Sequence, residues 1–112
     1  MSDCLFCRIA AGEIPSDRVL EDDEIIAFRD ISPRAPTHVL VIPRRHVADL
    51  QSLTDADADL VAALFRGVRV VATKAGLRSY RVVSNVGAEA GQSVDHLHIH
   101  VMGGRAMSWP PG

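Results

Sequence analysis

The chain has 112 residues, with 14 acidic and 12 basic side chains and a formal net charge of −2 at pH 7. A domain of this length buries about two-thirds of its unfolded surface, so we expect one domain over residues 1–112. The mixed charges argue against nucleic acid and favour a small ligand as partner. No run approaches the roughly 18 apolar residues of a membrane span, and no secretory leader is recognisable, so a cytoplasmic protein without a membrane partner is expected.

Short glycine and proline turns separate apolar runs, which predicts small regular elements. In chain order these are a helix over Cys4–Ala11, strands over Val19–Glu21, Glu24–Arg29 and His38–Pro43, a long helix between Thr54 and Ala75, a strand over Tyr80–Asn85, a loop over Gly87–Asp95 and a strand over His96–Met102. Thr54 and Asp57 form a capping-box pattern, and Gly76 can end the helix that follows. Strands with few, distant helices indicate an α+β fold on an antiparallel sheet.

The tail, residues 105–112, has no regular period. It contains Trp109, the only tryptophan of the chain. A large apolar ring is poorly accommodated alone in water, so we expect Trp109 to pack either on the core or on a partner subunit.

Three histidines, His96, His98 and His100, alternate with aliphatic residues. Because alternate side chains of a strand face opposite sides, the three imidazoles should share one face while the aliphatic residues face the core. Imidazole titrates near pH 6.5, so such a row can supply both a nucleophile and a proton donor. A structural role and a row bound entirely to metal are the alternatives; chemistry at phosphorus or an acyl centre is favoured.

The pattern His-x-His-x-His followed by two apolar residues is the signature of the histidine triad (HIT) family, which this chain resembles throughout its length. Further matching blocks are Asp30–Pro33, Ala35–His38, Val41–Arg44, Gly91–Val94, Gly103–Arg105 and Trp109–Gly112. The closing Trp-Pro-Pro-Gly is similar to that of the histidine-triad nucleotide-binding branch, called Hint. The resemblance implies a five-stranded antiparallel sheet with one long and one short helix. It also implies a homodimer with a continuous ten-stranded sheet, in which each tail reaches toward the other subunit's site.

The resemblance further implies a purine nucleoside phosphoramidase, which hydrolyses the P–N bond between a nucleoside monophosphate and an amine, as in aminoacyl or lysyl adenylates. His98 would be the nucleophile, oriented by a main-chain carbonyl of its own strand. His100 and His38 would handle the proton that the amine needs, and Ser93 would donate its hydroxyl to the phosphate or leaving group. The alternatives are a dinucleoside polyphosphate hydrolase and a zinc-stabilised nucleotide-binding module with little turnover. The nucleotidylyltransferase branch carries glutamine at the position of His100, which argues for hydrolysis.

A purine nucleotide should bind beside the triad. Asp30 would accept hydrogen bonds from the ribose, apolar side chains would hold the base, and amides would donate to the phosphate. The full predicted nucleotide-binding set is Phe6, Ile9, Phe28, Asp30, Ile31, Leu40, Asn85, Gln92, Ser93, His98, His100 and Trp109. Core packing is the alternative for the apolar members and the better interpretation for Phe28 and Leu40.

Cys4 and Cys7 form a Cys-x-x-Cys pair, which in a reducing compartment indicates metal or redox chemistry. Many bacterial HIT relatives bind zinc, and the resemblance implies the ligands Cys4, Cys7, His46 and His96. Such a Cys₂His₂ set suits a closed tetrahedral zinc with a structural role, and it would prevent His96 from donating protons. Two cysteine thiols near the purine, without metal, are the alternative.

Overall fold

Five strands pair into one antiparallel sheet in the computed structural model, which describes residues 3–112. The elements are α1 (Leu5–Ala10), β1 (Arg18–Glu21), β2 (Ile25–Arg29), β3 (Thr37–Pro43), α2 (Ala58–Lys74), β4 (Tyr80–Val83) and β5 (Ile99–Gly103), with short 3-10 turns at Leu50–Ser52, Asp55–Asp57 and Ala88–Ala90. The sheet order is β1-β2-β3-β5-β4, and every neighbouring pair is antiparallel. The predicted α+β fold is therefore confirmed.

The long helix begins and ends where the sequence predicts. Thr54 and Asp57 form a capping box over the 3-10 turn that leads into α2. After Lys74 the chain turns at Gly76, whose φ of +70° is a conformation that side chains with a Cβ rarely adopt. Midway, Gly67 lets the helix approach β2, because a Cβ there would lie 2.5 Å from Ile25 Cδ1.

Strand alternation divides the apolar side chains between the two faces of the sheet. One face packs against α2 and contains Ile25, Ala27, Val39, Val41, Leu97, Ile99 and Val101. The other packs with Phe6, Ile9 and Ala10 of α1 and contains Ile26, Phe28, Leu40 and Ile42. The aliphatic residues between the histidines thus lie in the α2 core, as predicted.

Two predicted strands are shorter by two residues in the structure, and β2 is shorter by one, since it begins at Ile25. β5 begins at Ile99, since His96 lies in a bend and residues 97–98 belong to no ladder. There the backbone is held instead by a hydrogen bond from Leu97 N to the Val47 carbonyl, at 2.6 Å. β4 ends at Val83, two residues before the predicted boundary. The first part of the histidine segment is therefore positioned by contacts outside the sheet.

The tail runs along the chain surface with its tryptophan exposed. Arg81 Nη2 donates to the Ser108 carbonyl at 2.9 Å, and Arg105 Nε donates to the Arg34 carbonyl at 3.0 Å. Trp109 is 82% exposed, so packing on the chain's own core is wrong and only the partner alternative stays a prediction. Across residues 3–112, every helix is too short or too polar to cross a membrane.

Candidate active site

The histidine row lies on the face of the sheet that α1 covers. The rings of His98 and His100 have centroids 5.1 Å apart, and Phe6 of α1 meets the His98 ring edge-on at 5.1 Å. His96 is fully buried, and His98 is 6% exposed. The shared face predicted for the three imidazoles is present even though only His100 lies within β5.

A backbone carbonyl determines which nitrogen of His98 carries the proton. His98 Nδ1 lies 2.7 Å from the His96 carbonyl oxygen, which can only accept, so Nδ1–H donates to it. The neutral ring then has its lone pair on Nε2, the nitrogen needed for attack on an electrophile.

Ser84 contacts His98, and the sequence did not indicate this contact. Its hydroxyl donates to the carbonyl oxygen of His98 at 3.0 Å. A serine near the end of a predicted strand has no distinguishing pattern, and only the register between β4 and β5 brings the two residues together.

A chain of hydrogen bonds orients His38 and His100. The backbone N–H of Arg34 donates to His38 Nδ1 at 3.0 Å, so the proton of a neutral His38 sits on Nε2. His38 Nε2 lies 2.9 Å from His100 Nδ1 and 3.5 Å from an oxygen of Asp30. If His38 donates to His100, the proton of His100 is on Nε2.

Burial keeps both of these rings neutral. Burial, reinforced by His98 and His38 and opposed by Asp30, lowers the pKa of His100 to about 4. Burial also lowers the pKa of His38, with the carboxylate of Asp30 opposing the shift. The pair is therefore uncharged at neutral pH and can gain a proton when an anion arrives beside it.

The loop over residues 87–95 is built around the buried side chain of Gln92. Its Oε1 accepts from Gly87 N at 2.8 Å, and its Nε2 donates to the carbonyls of Ala48 and Val94, at 2.9 and 3.1 Å. Both amide hydrogens thus have partners inside the protein. Gln92 holds the loop in shape, which differs from the phosphate donor that the sequence suggested.

Two other predicted phosphate contacts lie on or beside this loop. Ser93 follows Gln92 and is exposed. Asn85 reaches the loop from the end of β4, since a Cβ on Gly91 would lie 3.6 Å from its Nδ2. Their hydroxyl and amide groups are the polar side chains that this loop and its neighbour offer to an anion.

The apolar side chains predicted to hold the base fall into two groups. Phe6, Ile9, Phe28 and Leu40 are buried together in the cluster beneath α1, which agrees with core packing for Phe28 and Leu40. Ile31 is 98% exposed and follows Asp30, whose Oδ1 accepts from the Ser32 N–H at 2.8 Å. Asp30 and Ile31 thus present a carboxylate and an apolar surface side by side.

Four potential metal ligands meet at the start of α1. Donor atoms of Cys4, Cys7, His46 and His96 all lie within 4.8 Å of one another. Nδ1 of His96 is 3.4 Å from Cys4 Sγ and 3.5 Å from Cys7 Sγ, and Nδ1 of His46 is 3.3 Å from Cys7 Sγ.

The tautomer of His96 fits this ligand set. Its Nε2–H donates to the Pro43 carbonyl at 2.8 Å, which leaves the Nδ1 lone pair toward the thiols. Two thiolates and two imidazoles are a donor set that zinc prefers.

Comparison with known proteins agrees with this geometry. Residues 11–107 match the HIT domain family. The chain belongs to the HIT family. A 14 kDa zinc-binding protein of Zea mays is 44% identical over 114 residues, covering 99% of this chain and 89% of that protein. The adenylylsulfatase HINT1 of Arabidopsis thaliana is 42% identical over 114 residues, covering 99% of this chain and 78% of that protein.

Solved HIT structures share the fold closely. The crystal structure of a HIT family hydrolase from Legionella pneumophila superposes with a TM-score of 0.96 at 49% identity, covering 98% of this chain and all of that chain. Membership of the HIT family, in its Hint-like branch, is thereby confirmed.

Proposed function

We propose that this HIT protein is a hydrolase that cleaves the P–N bond of purine nucleoside monophosphate amidates through a nucleotide bound covalently to His98. The observation that carries the proposal is the 2.7 Å hydrogen bond from His98 Nδ1 to the His96 carbonyl, which directs the lone pair to Nε2. The names of the Legionella hydrolase and the Arabidopsis adenylylsulfatase support a hydrolase that acts on nucleotides.

In the first step, Nε2 of His98 attacks phosphorus and the bond from phosphorus to the amine breaks. The carbonyl of His96 stabilises the positive charge that develops on the His98 ring. The departing amine needs a proton, which the His38–His100 pair supplies after taking it up when the anionic phosphate binds.

In the second step, water attacks phosphorus and the bond to His98 breaks. The proton that water loses goes to the His38–His100 pair. The pair releases it to solvent when the nucleotide leaves, so the enzyme ends the cycle neutral, as it began. Ser93 and Asn85 donate hydrogen bonds to phosphate oxygens, while Gln92 shapes the loop that holds Ser93.

The nucleoside would bind next to the loop that joins β2 and β3. Asp30 accepts from the ribose hydroxyls, and the base lies against the exposed side chain of Ile31. An apolar surface binds a flat ring without recognising a particular base, so the site would accept a nucleotide of either purine.

We also propose a homodimer in which two sheets meet along β4. This strand lies at the edge of the sheet and exposes Tyr80 and Val82, and the neighbouring tail exposes Trp109. Exposed apolar groups beside an unpaired strand edge favour pairing with a second copy. Light scattering at micromolar concentration should give twice the mass of the chain.

Zinc is the proposed resident metal, held by Cys4, Cys7, His46 and His96. The name of the maize relative and the tautomer of His96 support it. With four protein ligands the ion would supply structural stability, because no position stays open for substrate. The ligands come from the N-cap and first turn of α1, the segment after β3 and the segment before β5, so the site would tie α1 to the catalytic segment.

The decisive test compares adenosine 5′-phosphoramidate with a diadenosine polyphosphate as substrates. Wild type should prefer the phosphoramidate, and mass spectrometry after rapid acid quench should find the nucleotide on His98. His98→Ala should form no adduct while keeping the wild-type circular dichroism spectrum. Faster cleavage of the polyphosphate would favour the anhydride hydrolase, and binding of AMP with neither adduct nor turnover would reduce the protein to a binding module.

A further inference from the structure

We propose that Ser84 is a positioning residue that sets the orientation of the His98 ring through the His98 backbone. The inference rests on the proposed role of His98 as nucleophile. It assigns a function to the one side-chain hydrogen bond that residues 3–112 make to the main chain of His98.

The sheet itself does not hold His98. Pairing between β4 and β5 runs from Tyr80 opposite Gly103 to Val83 opposite His100, and the ladder ends there. On its other side β5 pairs with β3 as far as Val41 opposite Ile99, so His98 lies two residues beyond the last pair with β4 and one residue beyond the last pair with β3. At this point backbone groups need other partners. Ser84 is the first residue after β4, and its half-buried hydroxyl reaches the His98 carbonyl at 3.0 Å.

The ring and the backbone carbonyl of His98 are each held by a hydrogen bond that strand pairing does not provide. The ring nitrogen Nδ1 is bound to the carbonyl two residues earlier, and the residue's own carbonyl is bound to Ser84. Without the hydroxyl, the peptide unit after His98 could turn and carry the Cα–Cβ direction with it. A small rotation at Cα displaces Nε2 from its line of attack, which catalysis tolerates poorly.

Removal of the hydroxyl should therefore lower the rate of chemistry and leave substrate binding unchanged. In Ser84→Ala we expect kcat for adenosine 5′-phosphoramidate to fall about 10-fold, with KM within about 2-fold of wild type. Ser84→Thr keeps a hydroxyl at the same position and should recover kcat to within about 3-fold.

Ser52→Ala is the matched control, since it also removes one serine hydroxyl that donates a hydrogen bond, to Asp49 Oδ1 at 2.9 Å on an exposed turn. It should keep the wild-type kcat. Thermal unfolding of all three variants separates a loss of rate from a loss of folded protein.

A second measurement reports on the ring without turnover. In long-range proton–nitrogen NMR spectra at neutral pH, wild-type His98 should show only the tautomer protonated at Nδ1, and Ser84→Ala should show a mixture that Ser84→Thr reverses. Wild-type kcat together with a wild-type tautomer in Ser84→Ala would overturn the inference. If the wild-type enzyme forms no adduct, the proposed function fails, and the NMR spectra still decide the role of Ser84.

Discussion

The neutral ring of His100 should make the fold sensitive to mild acid. Burial and the neighbouring imidazoles lower its pKa to about 4, whereas an unfolded histidine titrates at about 6.5. Because the folded pKa is the lower one, His100 does not lower the free energy of unfolding above the unfolded pKa. As the pH falls from 6.5 toward 4, protonation of the unfolded chain progressively lowers that free energy. Between pH 7 and pH 5 this amounts to about 2 kcal/mol, which partial exposure of the ring reduces to about 1 kcal/mol.

Urea unfolding of wild type and His100→Gln at pH 7 and pH 5 measures this contribution. Glutamine keeps a polar side chain and removes the titrating group. The free energy of unfolding of wild type should fall by about 1 kcal/mol more than that of the variant, because the titrating groups that do not contact His100 act in both proteins and cancel. Equal losses in the two proteins would refute the lowered pKa of His100 and with it the neutral state of the pair at rest.

Three further predictions concern packing, metal and the loop. Gly67→Ala should destabilise the fold by about 1–3 kcal/mol in chemical unfolding, since the new Cβ would lie 2.5 Å from Ile25 Cδ1. Adding Ile25→Val should recover part of this loss, and a double variant whose destabilisation equals the sum of the two single ones would contradict the close contact. Replacing Cys4 and Cys7 together by serine should abolish binding of one zinc per chain and lower Tm, whereas unchanged zinc by elemental analysis would exclude the Cys₂His₂ site. Gln92→Leu leaves one backbone N–H and two carbonyls without their partner, so it should cost about 1–3 kcal/mol and speed amide exchange in the loop; unchanged exchange would show that the loop is held by other contacts.

The spacing of apolar residues and the positions of turn residues were sufficient to predict most of the fold. The capping box at Thr54, the long helix that follows and the stop at Gly76 were predicted from local patterns, and the structure contains all three. The alternation of histidines with aliphatic residues likewise predicted one shared face, since side-chain direction in an extended chain depends only on position parity. Cys4, the N-cap of α1, and Cys7 are about one helical turn apart, so they could also be paired from sequence.

Only the structure shows which apolar side chains of the predicted nucleotide-binding set are buried and which are exposed. Phe28 and Ile31 are three residues apart and both apolar, yet the first is buried beneath α1 and the second is 98% exposed. Trp109 shows the same limit, because apolar character predicts contact with something and does not say which surface provides it.

The sequence alone determined the kinds of groups in the site and the face on which they lie, because both follow from residue type and local backbone period. Only the tertiary structure decided which nitrogen of His96 carries the proton, since its partner is the carbonyl of Pro43, far away in the chain. The same holds for Ser84, which meets His98 across two strands. Hydrogen-bond partners depend on register between segments that are far apart in the chain, and register becomes defined only when the sheet and its two cores assemble.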